Sequence, residues 1–308
     1  MTLPYRRLLL ALDGTPWAEH LLDLVACWAA PGRCTITLVH IVEEGGPERV
    51  HGAPHLHDAQ TAARYLEDCA ERLRRIGHTT ACMLRRSSPE DVANALSLTA
   101  DDQQCDVVLL ATHGRVDPRR WLRGSVAQRV LARARCDVLQ LTPRSLPPAP
   151  GPHHFLVPLD GDRSNETALQ RALWLASEDE GSVDLVHVLP WHQDTDGLGA
   201  LRTRFAPHAD RFLRRRGERL RTAYLERCAR EANTDSVRVR PVIETGNPAG
   251  VLASLTHRLG IDLVVLASHG RHGLAAWGHE HLPGRLIERL DVPLLMVAAG
   301  PHKPLTLP

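Results

Sequence analysis

The chain has 308 residues and a formal net charge of +1, with acidic and basic residues spread through both halves, which excludes a global field for nucleic acid or an anionic membrane surface. Lys303 is the sole lysine among 37 basic residues, so a P-loop lysine and a Schiff-base amine are excluded from the folded repeats. Seven cysteines without a C-x-x-C pair fit free thiols in a reducing compartment, no apolar run reaches the length of a signal-peptide core or a membrane span, and the expected location is the cytoplasm.

Arg7 to Asp13 predicts a buried strand ending in a carboxylate, after which Gly14 and Pro16 lead into an amphipathic helix to about Ala30. Thr35 to Val42 predicts a second strand, with His40 as a hydrogen-bonded core residue. Between Glu43 and Asp58, His51, His55 and His57 lie among Gly and Pro without a recognised metal spacing, which predicts a mobile surface loop. Asp58 to about Ile76 carries apolar residues at helical period. A third strand (Thr80 to Arg85) follows, then a helix with Pro89 in its first turn. A buried strand from Val107 to Ala111, a short helix from Ser125 to Arg133 and a last strand from Val138 to Leu141 complete the set.

The same order then starts again. Phe155 to Asp160 and Val183 to Leu189, with His187, predict strands, as do Ser236 to Ile243, Leu263 to Ala267 and Leu294 to Val297. Helices are expected at about Ser164 to Ser177, Ala209 to Ala232, from Pro248 and at about Leu282 to Leu290. The arginines of the second of these (Arg211, Arg214, Arg215, Arg216, Arg219, Arg221) share it with Glu218, Glu226 and Glu231, lack interleaved aromatics and read as a solvated face. Two domains are expected, residues 1–145 and 152–300, joined by the Pro-rich stretch Arg144 to Pro152 and followed by a loose tail from Gly300. Strands alternating with helices imply a doubly wound parallel sheet in each domain, where ligands bind beyond the carboxyl ends of strands.

One spacing carries chemistry. Ala111-Thr112-His113-Gly114 closes a strand, nine residues follow, and Gly124-Ser125 opens a helix. A helix start presents unpaired amides and the positive end of the dipole, and a preceding Gly lets a phosphate approach. Ser125 to Gln128 is equally a capping box, which needs no ligand. The second copy keeps Ala267-Ser268-His269-Gly270 but places Glu280-His281 where Gly124-Ser125 stand.

This spacing resembles the nucleotide motif of the universal stress protein family, G-x-x-G, nine residues, G-[ST], with Ala111 in place of the first Gly, and the similarity covers nearly the whole chain twice. The chain therefore resembles a tandem universal stress protein. The resemblance implies two Rossmann-like α/β domains with strand order 3-2-1-4-5, forming an intrachain pseudo-dimer in which the last strands pair antiparallel and cover each other's edges. It implies an ATP site in domain 1, with or without a divalent metal: Ala11, Asp13, Ile41 and Leu110 around base and ribose, and Ala111, Gly114, Gly124, Ser125 and Val126 along the phosphates. Ser87, where the second copy has Gly246, is a further departure. Glu280 would repel phosphate in domain 2, which is expected to be empty or to hold something uncharged.

A stress-response regulatory protein that binds an adenine nucleotide is the leading expectation. Its ligand state would be read by protein partners, without nucleic acid or membrane, and the chain would be a monomer closed on itself or a homodimer. The alternative is an interaction scaffold that binds no nucleotide. An ATP pyrophosphatase or adenylating ligase lacks support, because Asp13-Gly14-Thr15 stands where an S-G-G-x-[DS] loop would follow the first strand, and no catalytic residue is assigned.

Overall fold

The computed structural model describes residues 4–46, 48–50, 53–89, 91–112, 126–145, 151–178, 180–189, 207–268 and 282–298. The histidines at 51, 113 and 269, the tail and much of the linker lie outside the described residues. Domain 1 contains β1 (Arg7–Ala11), α1 (Pro16–Trp28), β2 (Thr35–Glu43), a hairpin of β3 (Arg49–Val50) and β4 (Ala53–Pro54), α2 (Ala59–Arg75), β5 (Thr79–Ser87), α3 (Val92–Asp102), β6 (Val107–Ala111), α4 (Val126–Leu131) and β7 (Asp137–Leu141). Domain 2 repeats the order with β8 (His154–Pro158), a 3-10 turn at Arg163–Asn165, α5 (Glu166–Ala176), β9 (Ser182–Leu189), α6 (Pro207–Ala232), β10 (Arg238–Thr245), α7 (Pro248–Leu259), β11 (Leu263–Ser268), α8 (Leu282–Ile287) and β12 (Leu294–Ala298).

Among the described residues ten strands form one sheet in the order β10-β9-β8-β11-β12-β7-β6-β1-β2-β5. Each half follows the expected 3-2-1-4-5 order and is parallel throughout. Its helices divide between the two faces. Residues of α1, α2, α5 and α6 fill one core layer, and residues of α3, α4, α7 and α8 fill the other. Near-continuous apolar strands such as Val107–Leu110 are what a sheet covered on both faces requires. The halves meet through the antiparallel pair β7 and β12, with Val138 opposite Met296, Leu139 opposite Leu295 and Gln140 opposite Leu294. This is the pseudo-dimer that the resemblance implied.

Local chemistry sets the element ends. Thr15 caps α1 by accepting from the Ala18 amide at 3.2 Å, Asp58 caps α2 from the Thr61 amide at 2.7 Å, and Pro248 follows its cap Asn247 into α7. Three expectations need correction. β1 stops at Ala11 rather than Asp13, because Leu12 makes one further bond to the Val39 carbonyl and the chain then turns at Gly14. Pro89 lies before α3, not in its first turn. Ahead of the helix the Asp91 amide bonds the Ser88 carbonyl at 3.0 Å, and Pro89 suits the second position of a turn closed in this way. The segment expected to be a surface loop between Glu43 and Asp58 folds back as the β3–β4 hairpin and buries His55, whose Nε2 lies 3.7 Å from Glu43 Oε1.

Candidate functional site

In domain 1 the helices that follow β1 and β6 lie on opposite faces of the sheet, which opens a crevice at the carboxyl ends of these adjacent strands. Ala11 lies opposite Val39 of β2 on one side and Leu110 of β6 on the other. Ala11, Ile41, Leu110 and Val126 all belong to the apolar layer beneath α4, so four of the candidate residues are gathered on one face at the ends of β1, β2 and β6. Ala111 ends β6 and packs toward the opposite layer. Gly114, Gly124 and Ser125 lie outside the described residues.

Asp13 leaves the end of β1 at the mouth of this crevice. Its Oδ1 accepts from the Thr15 amide at 2.9 Å and the Thr15 hydroxyl at 2.6 Å, and these two bonds orient the carboxylate. Gly14 has φ +83°, and a Cβ there would sit 2.8 Å from Leu56 Cδ1. Both the left-handed backbone and the approach of Leu56 therefore demand glycine at this turn. His40 Nδ1 donates to the Leu12 carbonyl at 2.7 Å, and its Nε2 lies 3.2 Å from the Leu56 carbonyl. The returning hairpin thus packs against the end of β1. Across the crevice, Trp17 Nε1 donates to the Thr112 carbonyl at 2.8 Å, and the Thr112 hydroxyl donates to the Leu141 carbonyl at 2.9 Å. These bonds tie the start of α1 to the ends of β6 and β7.

Thr15, Trp17, His40 and Leu56 are the residues that sequence reasoning did not place at the site. Only Trp17, an aromatic beside Pro16 in the first turn of a helix that follows a strand-end carboxylate, offered a local signal. Leu56 and His40 come together through the hairpin, which no period announces.

The second domain builds the same frame with different chemistry. His187 Nδ1 donates to the Leu159 carbonyl at 2.7 Å, as His40 does to Leu12, and Gly161 repeats the positive φ of Gly14 at +96°. Asp160 Oδ1 accepts from the Asp162 amide at 2.9 Å and Asn165 Nδ2 at 2.6 Å, whereas its buried Oδ2 has no hydrogen-bond partner among the described residues. Val188, Leu266 and Leu282 occupy the apolar layer. His269, Gly270, Glu280 and His281 lie outside the described residues.

Among the described residues no group of three His, Cys, Asp or Glu side chains could hold a metal, and no helix is long and apolar enough to cross a membrane. All seven cysteines are free thiols.

Comparison with known proteins agrees with this architecture. The universal stress protein family model matches twice, over residues 4–141 and 152–298. Among curated proteins none matches. A universal stress protein from Archaeoglobus fulgidus DSM 4304 has a similar fold, with TM-score 0.66 and 14% identity over 96% of this chain and 97% of its own. A functionally unknown protein from Pseudomonas aeruginosa PAO1 has TM-score 0.57 and 14% identity over 95% of this chain and 92% of its own. A universal stress protein in complex with cAMP matches 45% of this chain and 98% of its own, at 18% identity and TM-score 0.36. With both halves matched by the same family model, the chain belongs to the universal stress protein family as a tandem repeat.

Proposed function

We propose that this protein is a stress-response regulator whose first domain binds an adenine nucleotide, ATP in the leading case. The observation that carries the reading is the gathering of Ala11, Ile41, Leu110 and Val126 on one sheet face beside Asp13, at the switch point between β1 and β6. The apolar face suits an adenine ring, and Asp13 suits a ribose hydroxyl. The phosphates would run past Ala111 toward Gly114, Gly124 and Ser125, where glycine leaves room and amides supply donors. A divalent ion would arrive with the phosphates, since the described residues offer no metal cluster of their own. We assign no catalytic residue. Protein partners would read the ligand state.

Domain 2 is proposed to take no phosphate, because Glu280 replaces Gly124 in the motif.

The test is the ligand content of freshly purified protein, read by absorbance and mass spectrometry. An adenine nucleotide released on denaturation, at no more than one equivalent per chain, supports the reading. Protein that purifies empty and gives no calorimetric response to ATP, ADP or AMP overturns it and leaves the scaffold reading in its place.

A further inference from the structure

The seam between the halves is symmetric in its backbone and asymmetric in its side chains. The register places Leu139 opposite Leu295, equivalent residues of the two repeats, so a pseudo-two-fold axis passes between them. Any contact at one end of such a seam has a counterpart at the other.

At one end lies a buried charge pair. Asp137 of β7 is 0% exposed and Arg171 of α5 is 6% exposed, with Arg171 Nε 2.7 Å from Asp137 Oδ2 in an ion-pair contact that lacks hydrogen-bond alignment. The Tyr5 hydroxyl donates to the same oxygen at 2.7 Å, and the Ala298 amide from β12 donates to Oδ1 at 3.2 Å. The guanidinium lies over the Tyr5 and Trp174 rings at 5.7 and 5.1 Å. Two residues from each domain therefore close one polar cluster.

The other end carries none of it. Val108 pairs with Val138 as Val264 pairs with Leu294, so Pro293 is the equivalent of Asp137. His40 and His187 bond equivalent carbonyls, of Leu12 and Leu159, and counting from these makes Leu24 the equivalent of Arg171. The buried positions of α1 and α5 agree with that alignment. A charged pair at one end thus answers to a leucine and a proline at the other.

We propose that this asymmetry makes the seam selective: the face of domain 1 accepts domain 2 and rejects a second copy of itself. Pairing two first domains would bury each Asp137 against the other's Leu24, and pairing two second domains would bury each Arg171 against Pro293. Each mispaired end leaves a desolvated charge without its partner, a penalty worth roughly a hundredfold or more in the pairing equilibrium. Tethering alone would not discriminate in this way, because it raises local concentration without choosing partners.

The test uses full-length chains carrying Asp137→Arg or Arg171→Asp, each with its own affinity tag. Alone, each variant faces like charges across the seam and is expected to melt below the wild type and to self-associate. Co-expressed, each supplies the other's missing partner, and the two are expected to copurify at equal stoichiometry as a two-chain particle by light scattering. Two wild-type chains bearing the same tags should not copurify. The proposal is overturned if either variant alone remains a one-chain particle with the wild-type melting temperature. It is equally overturned if co-expression yields no more copurification than the wild-type pair.

Discussion

Asp106 and Asp262 hold the same position in the two repeats and make the same pair of hydrogen bonds. Asp106 Oδ2 accepts from the amides of Arg6 and Arg7, both at 2.8 Å, and Asp262 Oδ2 accepts from the amides of His153 and His154, both at 2.9 Å. Each carboxylate precedes the fourth strand of its domain and fastens the start of the first. Replacing either by Ala should lower unfolding stability by about 1–2 kcal/mol in urea denaturation, with the half-buried Asp262 the more costly. Asn, which keeps an acceptor, should recover most of the loss. The two sites share no partner, so the double variant should be additive within about 0.5 kcal/mol.

Much of this frame was legible in the sequence because the repeat copies side chains that have local jobs. Strand-end carboxylates, the glycines after them and five-residue apolar runs recur at matching places, and each has a short-range meaning. Strand order came from the family resemblance, since no residue encodes which parallel strand lies beside it. The Asp137–Arg171 contact was illegible for a related reason. An aspartate at a strand start and an arginine in an amphipathic helix both read as solvated, and only the pairing of β7 with β12 buries them together. Pro89 misled because a first helical turn and the second position of a β-turn ask for the same fixed φ. His55 was read as exposed because its burial depends on a hairpin folding back toward Glu43. Of the candidate site, the apolar residues on the strands could be located in the structure, while the glycines of the motif fall outside the described residues.

Gln140 is an uncompensated polar group in the seam. It is fully buried, and neither its Oε1 nor its Nε2 has a hydrogen-bond partner among the described residues. Its equivalent in domain 2 is Met296, a side chain of similar length without polar demand. Gln140→Met should therefore raise stability by about 1–2 kcal/mol, the order of the cost of an orphaned buried amide. Thermal and urea denaturation check this. A loss of stability would mean that the amide has partners in solution.

Two histidines set an acid limit. Burial lowers the pKa of His78, whose ring nitrogens have no hydrogen-bond partner among the described residues, and burial likewise lowers that of His187 despite its bond to the Leu159 carbonyl. A folded-state pKa below the unfolded one means that the unfolded chain takes up protons first as the pH falls. Stability is then fully present above the ordinary histidine pKa of about 6.5 and declines as the pH drops below it. Denaturation midpoints should fall between about pH 7 and 5.5, before carboxylates titrate. His78→Leu should flatten part of that slope and His187→Asn, which retains a donor for Leu159, another part. An unchanged slope in the double variant would assign the acid sensitivity to other groups.

Gly124→Glu tests the phosphate assignment by copying domain 2 into domain 1. A carboxylate about 5 Å from a phosphate, at an effective dielectric of about 20, opposes it by roughly 3 kcal/mol per phosphate charge. That is more than a hundredfold in affinity. It would also meet the positive end of the following helix and compete there with the ligand. Calorimetry with ATP should show binding lost while the melting temperature of the ligand-free protein stays within about 1 °C of the wild type. Gly124→Gln separates charge from bulk: it has the same length without the repulsion, and should lose affinity by a smaller factor that changes little with salt. The loss in the Glu variant should shrink as ionic strength rises, since added salt screens the opposing charges. Equal losses in both variants would mean that position 124 acts through shape alone. Undiminished affinity in the Glu variant would remove the phosphates from this end of the crevice.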